Sequence, residues 1–310
     1  MSTPFKNILL IGATGSIGSY VLTALLAEPS LTITVLKRAS STHTTPLPSP
    51  IRTITVPDTY PTDAVTAAFR GQDAVICCLT TLNVADQFRL IDAAIAAGVR
   101  RYVPSEYGLN NMRPDAQALN AVFREKGAVQ GYLRGKAAEG VLEWMSVSCG
   151  MWIKWSLRNE FLGVHVKRGE RRVVLWDGGK GRFSVNTEEN TARAVVRGLV
   201  AIPEETKNRN VLIEEFAVTQ RELVEEIERQ MGEKLVVVEE VDSVERIATL
   251  QAAADAGDQM ATIGLVEAGF ITGRFGGDLS KEGEILTEKL GLERHSLQQV
   301  VADALASLKE

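Results

Sequence analysis

Seven residues carry the plainest chemistry: Gly12-Ala13-Thr14-Gly15-Ser16-Ile17-Gly18, which follow the apolar run Asn7 to Ile11 and lead into a segment of helical spacing. Glycines at every third position between a strand and a helix suit a dinucleotide. Gly12 permits the tight turn, Gly15 lets a pyrophosphate approach the backbone, and Gly18 lets the helix pack against its strand. Free N–H groups along this stretch, those of Ser16 and Ile17 among them, and the positive end of the helix dipole would hold the anion. Thr14 adds a hydroxyl donor.

A carboxylate about 20 residues beyond such glycines ordinarily binds the ribose 2′-hydroxyl of NAD. Here Lys37 and Arg38 stand at the end of the second apolar run instead. A guanidinium grips a phosphate bidentately where a carboxylate would repel it. The expected cofactor is therefore NADP(H), and the alternative reading of Arg38 is a solvated surface arginine.

Two lysines on a predicted helix over 116–139 compete for the reacting end of that cofactor. Tyr132 and Lys136 share a helix face four residues apart, a phenol and an ammonium suited to a ketone. Depth favours Lys126. Ligands of open α/β sheets bind beyond the carboxyl ends of the strands, and this helix descends from that edge to the next strand near 142. At about 1.5 Å per residue, Lys136 lies about 9 Å above the lower edge and Lys126 about 24 Å, near the height of a seven-residue strand. Position 122, one turn before Lys126, is valine, so no phenol accompanies it. Lys126 is expected to hold the nicotinamide ribose and to act as acid or base; a surface lysine is the alternative.

Ser105 and Tyr107, in the run Pro104-Ser105-Glu106-Tyr107-Gly108, are expected at the nicotinamide edge, with Glu106 orienting Lys126. Pro104 and Gly108 equally read as turn chemistry. Met151, Trp152, Trp155 and Phe161 follow the sixth strand, where flat rings suit an aromatic substrate and equally suit a core between lobes. Gly264, Gly269, Gly273, Gly276 and Gly277 mark a flexible loop, or the hinge of a lid faced by Phe270 and Phe275. His43, His165 and His295 show no ligand spacing, so no metal is expected.

These residues need elements to position them. Strands are predicted near 7–11, 31–37, 51–56, 73–79, 100–103 and 142–148, with helices over 16–27, 62–70, 84–97 and 116–139 between most of them. Such alternation implies parallel βαβ units, and continuous apolar runs such as Ala74-Val75-Ile76-Cys77-Cys78 imply strands covered on both faces. The expected fold is α/β: a doubly wound parallel sheet of Rossmann type over 1–150, with 183–204 returning to it. A second, smaller α+β lobe over 151–182 and 205–310 would receive the substrate. Near and within that lobe Trp144, Trp152, Trp155 and Trp176 cluster, Thr219-x-x-Glu222 fits a capping box opening a helix over 220–231, 235–240 reads as a strand and 186–199 as a helix. Residues 40–50, rich in Ser, Thr and Pro, are expected to form an exposed loop.

Composition sets limits. The 310 residues are 45% hydrophobic and 24% charged, and 34 Lys+Arg against 39 Asp+Glu leave a net charge of −5. An acidic surplus without a basic run argues against nucleic acid or an anionic membrane as partner, and no window reaches the ~18 to 20 apolar residues of a membrane span. The leading apolar stretch is too short for a secretory signal. Cys77, Cys78 and Cys149 sit in apolar runs and read as small buried hydrophobes in a reducing, cytoplasmic setting. A small molecule is the expected partner.

Taken in order, Gly12-x-x-Gly15-x-x-Gly18, Arg38, the run Arg101 to Gly108 and Lys126 resemble the isoflavone reductase-like branch of the NmrA-like family, atypical short-chain dehydrogenases. Gly150 to Gly163, Trp176 to Gly179 and Phe183-Ser184 are most similar to its fungal members. The resemblance implies a Rossmann domain, NADPH, a catalytic lysine at Lys126, and reduction of phenolic or other conjugated small molecules such as secondary metabolites. NmrA itself is a dinucleotide-sensing regulator, so a non-catalytic NADP(H) sensor stays open beside the reductase. A ketone reductase using Tyr107 or Tyr132 as acid is the third reading.

Overall fold

The computed structural model describes residues 4–41, 51–80 and 84–309, so His43 and most of the expected 40–50 loop lie outside the described residues. The chain divides into two compact units: Met1–Glu106 with Glu125–Val147 and Thr191–Val211, and Tyr107–Arg124 with Ser148–Asn190 and Leu212–Glu310. Residues 107–124 thus group with the second unit, and the segment that returns to the first is 191–211. The second unit, expected as the smaller lobe, is of comparable size.

In chain order the elements are β1 (Asn7–Ile11), α1 (Gly18–Leu26), β2 (Thr32–Arg38), β3 (Arg52–Val56), α2 (Thr62–Phe69), β4 (Ala74–Cys77), α3 (Asp86–Ala96), β5 (Arg101–Val103), α4 (Pro114–Leu119), α5 (Ala121–Ala138) and β6 (Glu143–Ser148). There follow α6 (Ile153–Arg158), β7 (Val164–His165), β8 (Arg172–Trp176), β9 (Arg182–Val185), α7 (Glu188–Val200), α8 (Pro203–Thr206) and β10 (Arg209–Leu212). The chain closes with β11 (Phe216–Thr219), α9 (Gln220–Met231), β12 (Val236–Val241), α10 (Ser243–Asp255), α11 (Gln259–Ile271) and α12 (Leu297–Ser307).

Seven strands form one sheet in the order β10-β6-β5-β4-β1-β2-β3. Every pairing from β3 across to β6 is parallel. β4, and β1 from Ile8 onward, are apolar and buried, as strands covered on both faces must be. The chain leaves β1 for β2 and β3 on one side, then crosses back to β4 on the other. That reversal places the switch point, where open α/β sheets bind ligands, at the carboxyl ends of β1 and β4. Cys77, Cys78 and Cys149 are buried and form no disulfide among the described residues. Among the described residues no helix is long and apolar enough to cross a membrane.

Three sequence expectations need correction. The helix expected over 116–139 is two, because Asn120 is extended at φ −149°, ψ 141°. Its Oδ1 accepts the Val122 N–H at 2.7 Å and its Nδ2 donates to the Thr262 carbonyl at 2.7 Å, so the side chain substitutes for helical backbone bonds. The glycines from 264 onward are not all loop: Gly264 and Gly269 lie inside α11. A Cβ on Gly269 would stand 2.7 Å from the Phe123 ring, Phe270 is buried in the same core and Phe275 packs half-buried against it, so Phe270 does not form the face of a lid. Trp144 leaves the tryptophan cluster for the core of the first unit, beside Val129 and Leu133. The capping box forms as expected, with Thr219 accepting the Glu222 N–H and Glu222 accepting the Thr219 N–H at the head of α9.

β5 begins at a buried cation. Arg101 donates to Glu143 Oε2 through Nε and Nη2 at 3.1 and 2.8 Å, and through Nη1 to the Pro203 carbonyl at 2.8 Å. Lys207 pairs with the other Glu143 oxygen at 2.7 Å. In the second unit, one peptide after α6 is clamped from both sides. The Leu162 carbonyl accepts from Gln220 Nε2 at 2.9 Å, and the Gly163 N–H donates to Glu267 Oε1 at 2.7 Å. Burial pushes the Glu267 carboxyl up to about 7, although the N–H groups of Gly163 and Leu162 favour its charged form.

Removing Arg101 leaves Glu143 and the Pro203 carbonyl short of a donor. Arg101→Ala should cost about 3 kcal/mol of unfolding free energy, read from urea denaturation midpoints. The folded state keeps the Glu267 proton over a range where the unfolded chain has lost it. Its contribution is complete below the usual carboxyl value of 4.5 and disappears as pH rises through about 7. Melting midpoints should show that decline between these values, and Glu267→Gln should flatten it.

Candidate functional site

The carboxyl ends of β1, β4 and β5 gather the residues of the first unit. Gly12 has φ +79°, and a Cβ there would collide with the Cys78 carbonyl just past β4. A Cβ on Gly18 would collide with the Gly12 carbonyl. Both glycines are therefore demanded by the protein's own packing. Gly15 is different: its Cβ would meet the nearest atom, the Gly12 carbonyl oxygen, at 3.4 Å, an ordinary contact. The fold leaves room there, and an approaching group from outside is what a side chain would obstruct.

Thr14, Gly15 and Ser16 are exposed, whereas Ile17 is buried, so its side chain belongs to the core and only its N–H is left for a ligand. α1 starts at Gly18, with no side chain capping it and no acidic residue in its first turn. An N-terminus of this kind suits an anion. At the end of β2, Lys37 is half-buried and Arg38 exposed. Asp58, which the sequence did not single out, accepts the Ser40 N–H at 2.9 Å. That bond, helped by the Arg38 charge, holds the Asp58 carboxyl below its usual range. A phosphate at Arg38 would meet a cation whose field this carboxylate already trims.

Lys126 is half-buried, and its Nζ donates to the Glu106 backbone carbonyl at 2.6 Å. Glu106 lies three residues past β5, so the ammonium stands at the carboxyl edge of the sheet. The Glu106 carboxylate accepts from Gln130 Nε2 at 2.7 Å. Ser105 is 6% exposed; its N–H donates to Gln87 Oε1 at 2.8 Å and its hydroxyl to the Leu79 carbonyl at 2.7 Å. Both donors of Ser105 thus tie the exit of β5 to β4 and α3 instead of facing outward. The other candidate pair lies elsewhere. The Tyr132 hydroxyl donates to exposed Asp92 on α3, and that bond pushes the phenol up to about 12. Lys136 pairs with Glu139 at 3.0 Å on the surface.

In the second unit, Met151 is buried and bridges to Val185, while Trp152 and Trp155 are half-buried around the start of α6. The Trp155 and Phe161 rings meet edge to face with centroids 5.4 Å apart. Tyr107 is half-buried with φ +44°, the left-handed region that a tyrosine enters only under constraint. Glu160, His165 and Glu170 bring possible ligand atoms within 4.8 Å of one another. Glu170 is committed to Arg172 at 2.5 Å, and His295 Nδ1 lies 2.6 Å from Glu215; no metal is assigned. Gln87 and Gln130 escaped the sequence reading, although a polar residue within a buried helical stripe is the available signal.

The sequence profile of the NmrA-like family matches residues 4–269. The oxidoreductase aprR of Aspergillus flavus is 34% identical over 227 residues, which span 73% of this chain and 74% of that protein. An isoflavone reductase of Medicago sativa is 26% identical over 251 residues, 74% of this chain and 77% of its own length. The structure of leucoanthocyanidin reductase from Vitis vinifera in binary complex with NADPH superposes with a TM-score of 0.73 at 18% identity, covering 97% of this chain and 99% of that one.

Proposed function

This chain belongs to the NmrA-like family and is an oxidoreductase, and from that premise we propose that it reduces a conjugated, aromatic or phenolic small molecule with NADPH. The observation that carries the reading is the Lys126 ammonium fastened to the Glu106 carbonyl at the carboxyl edge of β5. The open approach at Gly15, the uncapped start of α1 and the Lys37-Arg38 pair fit a phosphorylated dinucleotide. When bound, NADPH supplies the hydride.

The chain's own residues divide the remaining work. Backbone N–H groups at the head of α1, those of Ser16 and Ile17, with the Thr14 and Ser16 hydroxyls, would hold the pyrophosphate, while the Gly15 N–H closes the turn on the Gly12 carbonyl. Lys37 and Arg38 neutralise the 2′-phosphate. Lys126 would hold the nicotinamide ribose and assist proton movement at the acceptor. Ser105 stiffens the turn behind it. Tyr107, Met151, Trp152 and Trp155 supply flat and apolar surface for an aromatic substrate. The Tyr132 phenol is engaged with Asp92 on the outer flank of α5, which disfavours a ketone reductase built on that tyrosine. Three buried thiols outside any disulfide among the described residues suit a reducing cytoplasm.

Two experiments test the reading. Arg38→Asp should weaken NADPH at least about tenfold relative to NADH in fluorescence titrations; an unchanged ratio removes Arg38 from the 2′-phosphate. A panel of conjugated phenols should reveal NADPH oxidation that Lys126→Ala lowers about a hundredfold in kcat. Activity intact in the variant removes the assigned chemistry, and NADPH binding without turnover on any substrate favours a sensor.

A further inference from the structure

We propose that Gln130 and Glu106 are positioning residues for Lys126, forming with it a buried polar clip that sets where the ammonium points. The inference rests on the catalytic reading of Lys126. Gln130 follows Lys126 by one helical turn on α5, so the two side chains leave the same face. They grip a single residue: Lys126 Nζ donates to the Glu106 carbonyl at 2.6 Å, and Gln130 Nε2 donates to Glu106 Oε2 at 2.7 Å. Glu106 and Gln130 are both fully buried. A carboxylate with so little water depends on the donors aimed at it, and the Gln130 amide is one of them.

The clip is braced on both sides. Ser146 Oγ, itself buried, lies 3.3 Å from Gln130 Oε1 and 2.9 Å from Asn210 Oδ1. The Gln130 amide oxygen faces that hydroxyl while its nitrogen faces Glu106. The turn bearing Glu106 is tied through Ser105 to Gln87 and to the Leu79 carbonyl. Gln87, Ser146 and Asn210, which reach this network from α3, β6 and β10, carry no charge. Val129 and Leu133 already fill the buried stripe around Gln130, and an apolar side chain there would avoid the desolvation that an amide incurs. Without the Gln130 donor, the Glu106 charge would draw harder on the ammonium, hold it protonated and pull it away from the carbonyl.

The clip is tested without a substrate. Lysines of the full chain are reductively methylated with 13C-formaldehyde and titrated by NMR, with the Lys126 signal assigned through Lys126→Arg. Gln130→Leu should raise the Lys126 midpoint by roughly one pH unit. Glu106→Gln, which keeps an acceptor for the Gln130 amide but removes the charge, should lower it by a similar amount. Midpoints unmoved in both variants overturn the inference, even if Lys126→Ala abolishes turnover. Shifted midpoints together with full turnover in Lys126→Ala uphold the clip and overturn the catalytic reading. If Gln130→Leu does not fold, the direction of the shift in Glu106→Gln decides alone.

Discussion

A steric condition at the first turn of the sheet governs the rest of the first unit. α1 leaves β1 so tightly that Gly18 lies against the Gly12 carbonyl, and Gly12 in turn lies against the carbonyl of Cys78. A β-carbon at either position would force α1 off its strand or the turn off β4. Because the turn is that close, the free end of α1 opens beyond the carboxyl ends of β1 and β4, where the strand order reverses. The partial charge of the helix is thereby delivered to the one crevice the topology provides.

Buried polar groups then organise that edge. Ser105, Gln87, Glu106 and Gln130 are all shielded from water, and their bonds run from α3 and α5 to the turn after β5. Such groups cost desolvation, which the bonds from Ser105 to Gln87 Oε1 and from Gln130 to Glu106 Oε2 offset. Here they hold in place a turn whose carbonyl takes the Lys126 ammonium. The same strand starts at Arg101, buried against Glu143 and the Pro203 carbonyl. One three-residue strand is thus anchored by a cation at its beginning and by a polar turn at its end.

The second unit solves a comparable problem without charge pairs. The segment from Met151 to Gly163 carries Trp152, Trp155 and Phe161, and its last peptide is fixed at the carbonyl by Gln220 and at the N–H by Glu267. Gly163 accepts this geometry because φ is +66°, and a Cβ there would strike the Val174 carbonyl. The edge-to-face contact of Trp155 with Phe161 therefore sits on a backbone with little freedom.

Local pattern alone determined the parallel α/β sheet, the glycine turn, the basic end of β2 and the capping box of α9, because each depends on residues adjacent in sequence or on one element's periodicity. Depth along a helix likewise distinguishes Lys126 from Lys136 within the sequence itself. Tertiary structure decided what depends on distant partners: Asn120 splits a helix by reaching Thr262, α11 runs through Gly264 and Gly269 because Phe123 packs there, and Asp58 comes beside Arg38 from beyond β3. The Gln130 amide and the Glu106 carboxylate meet only because α5 packs beside the exit of β5. A buried hydrogen bond between residues 24 positions apart has no sequence period, and its energy exists only once the fold has excluded water around it.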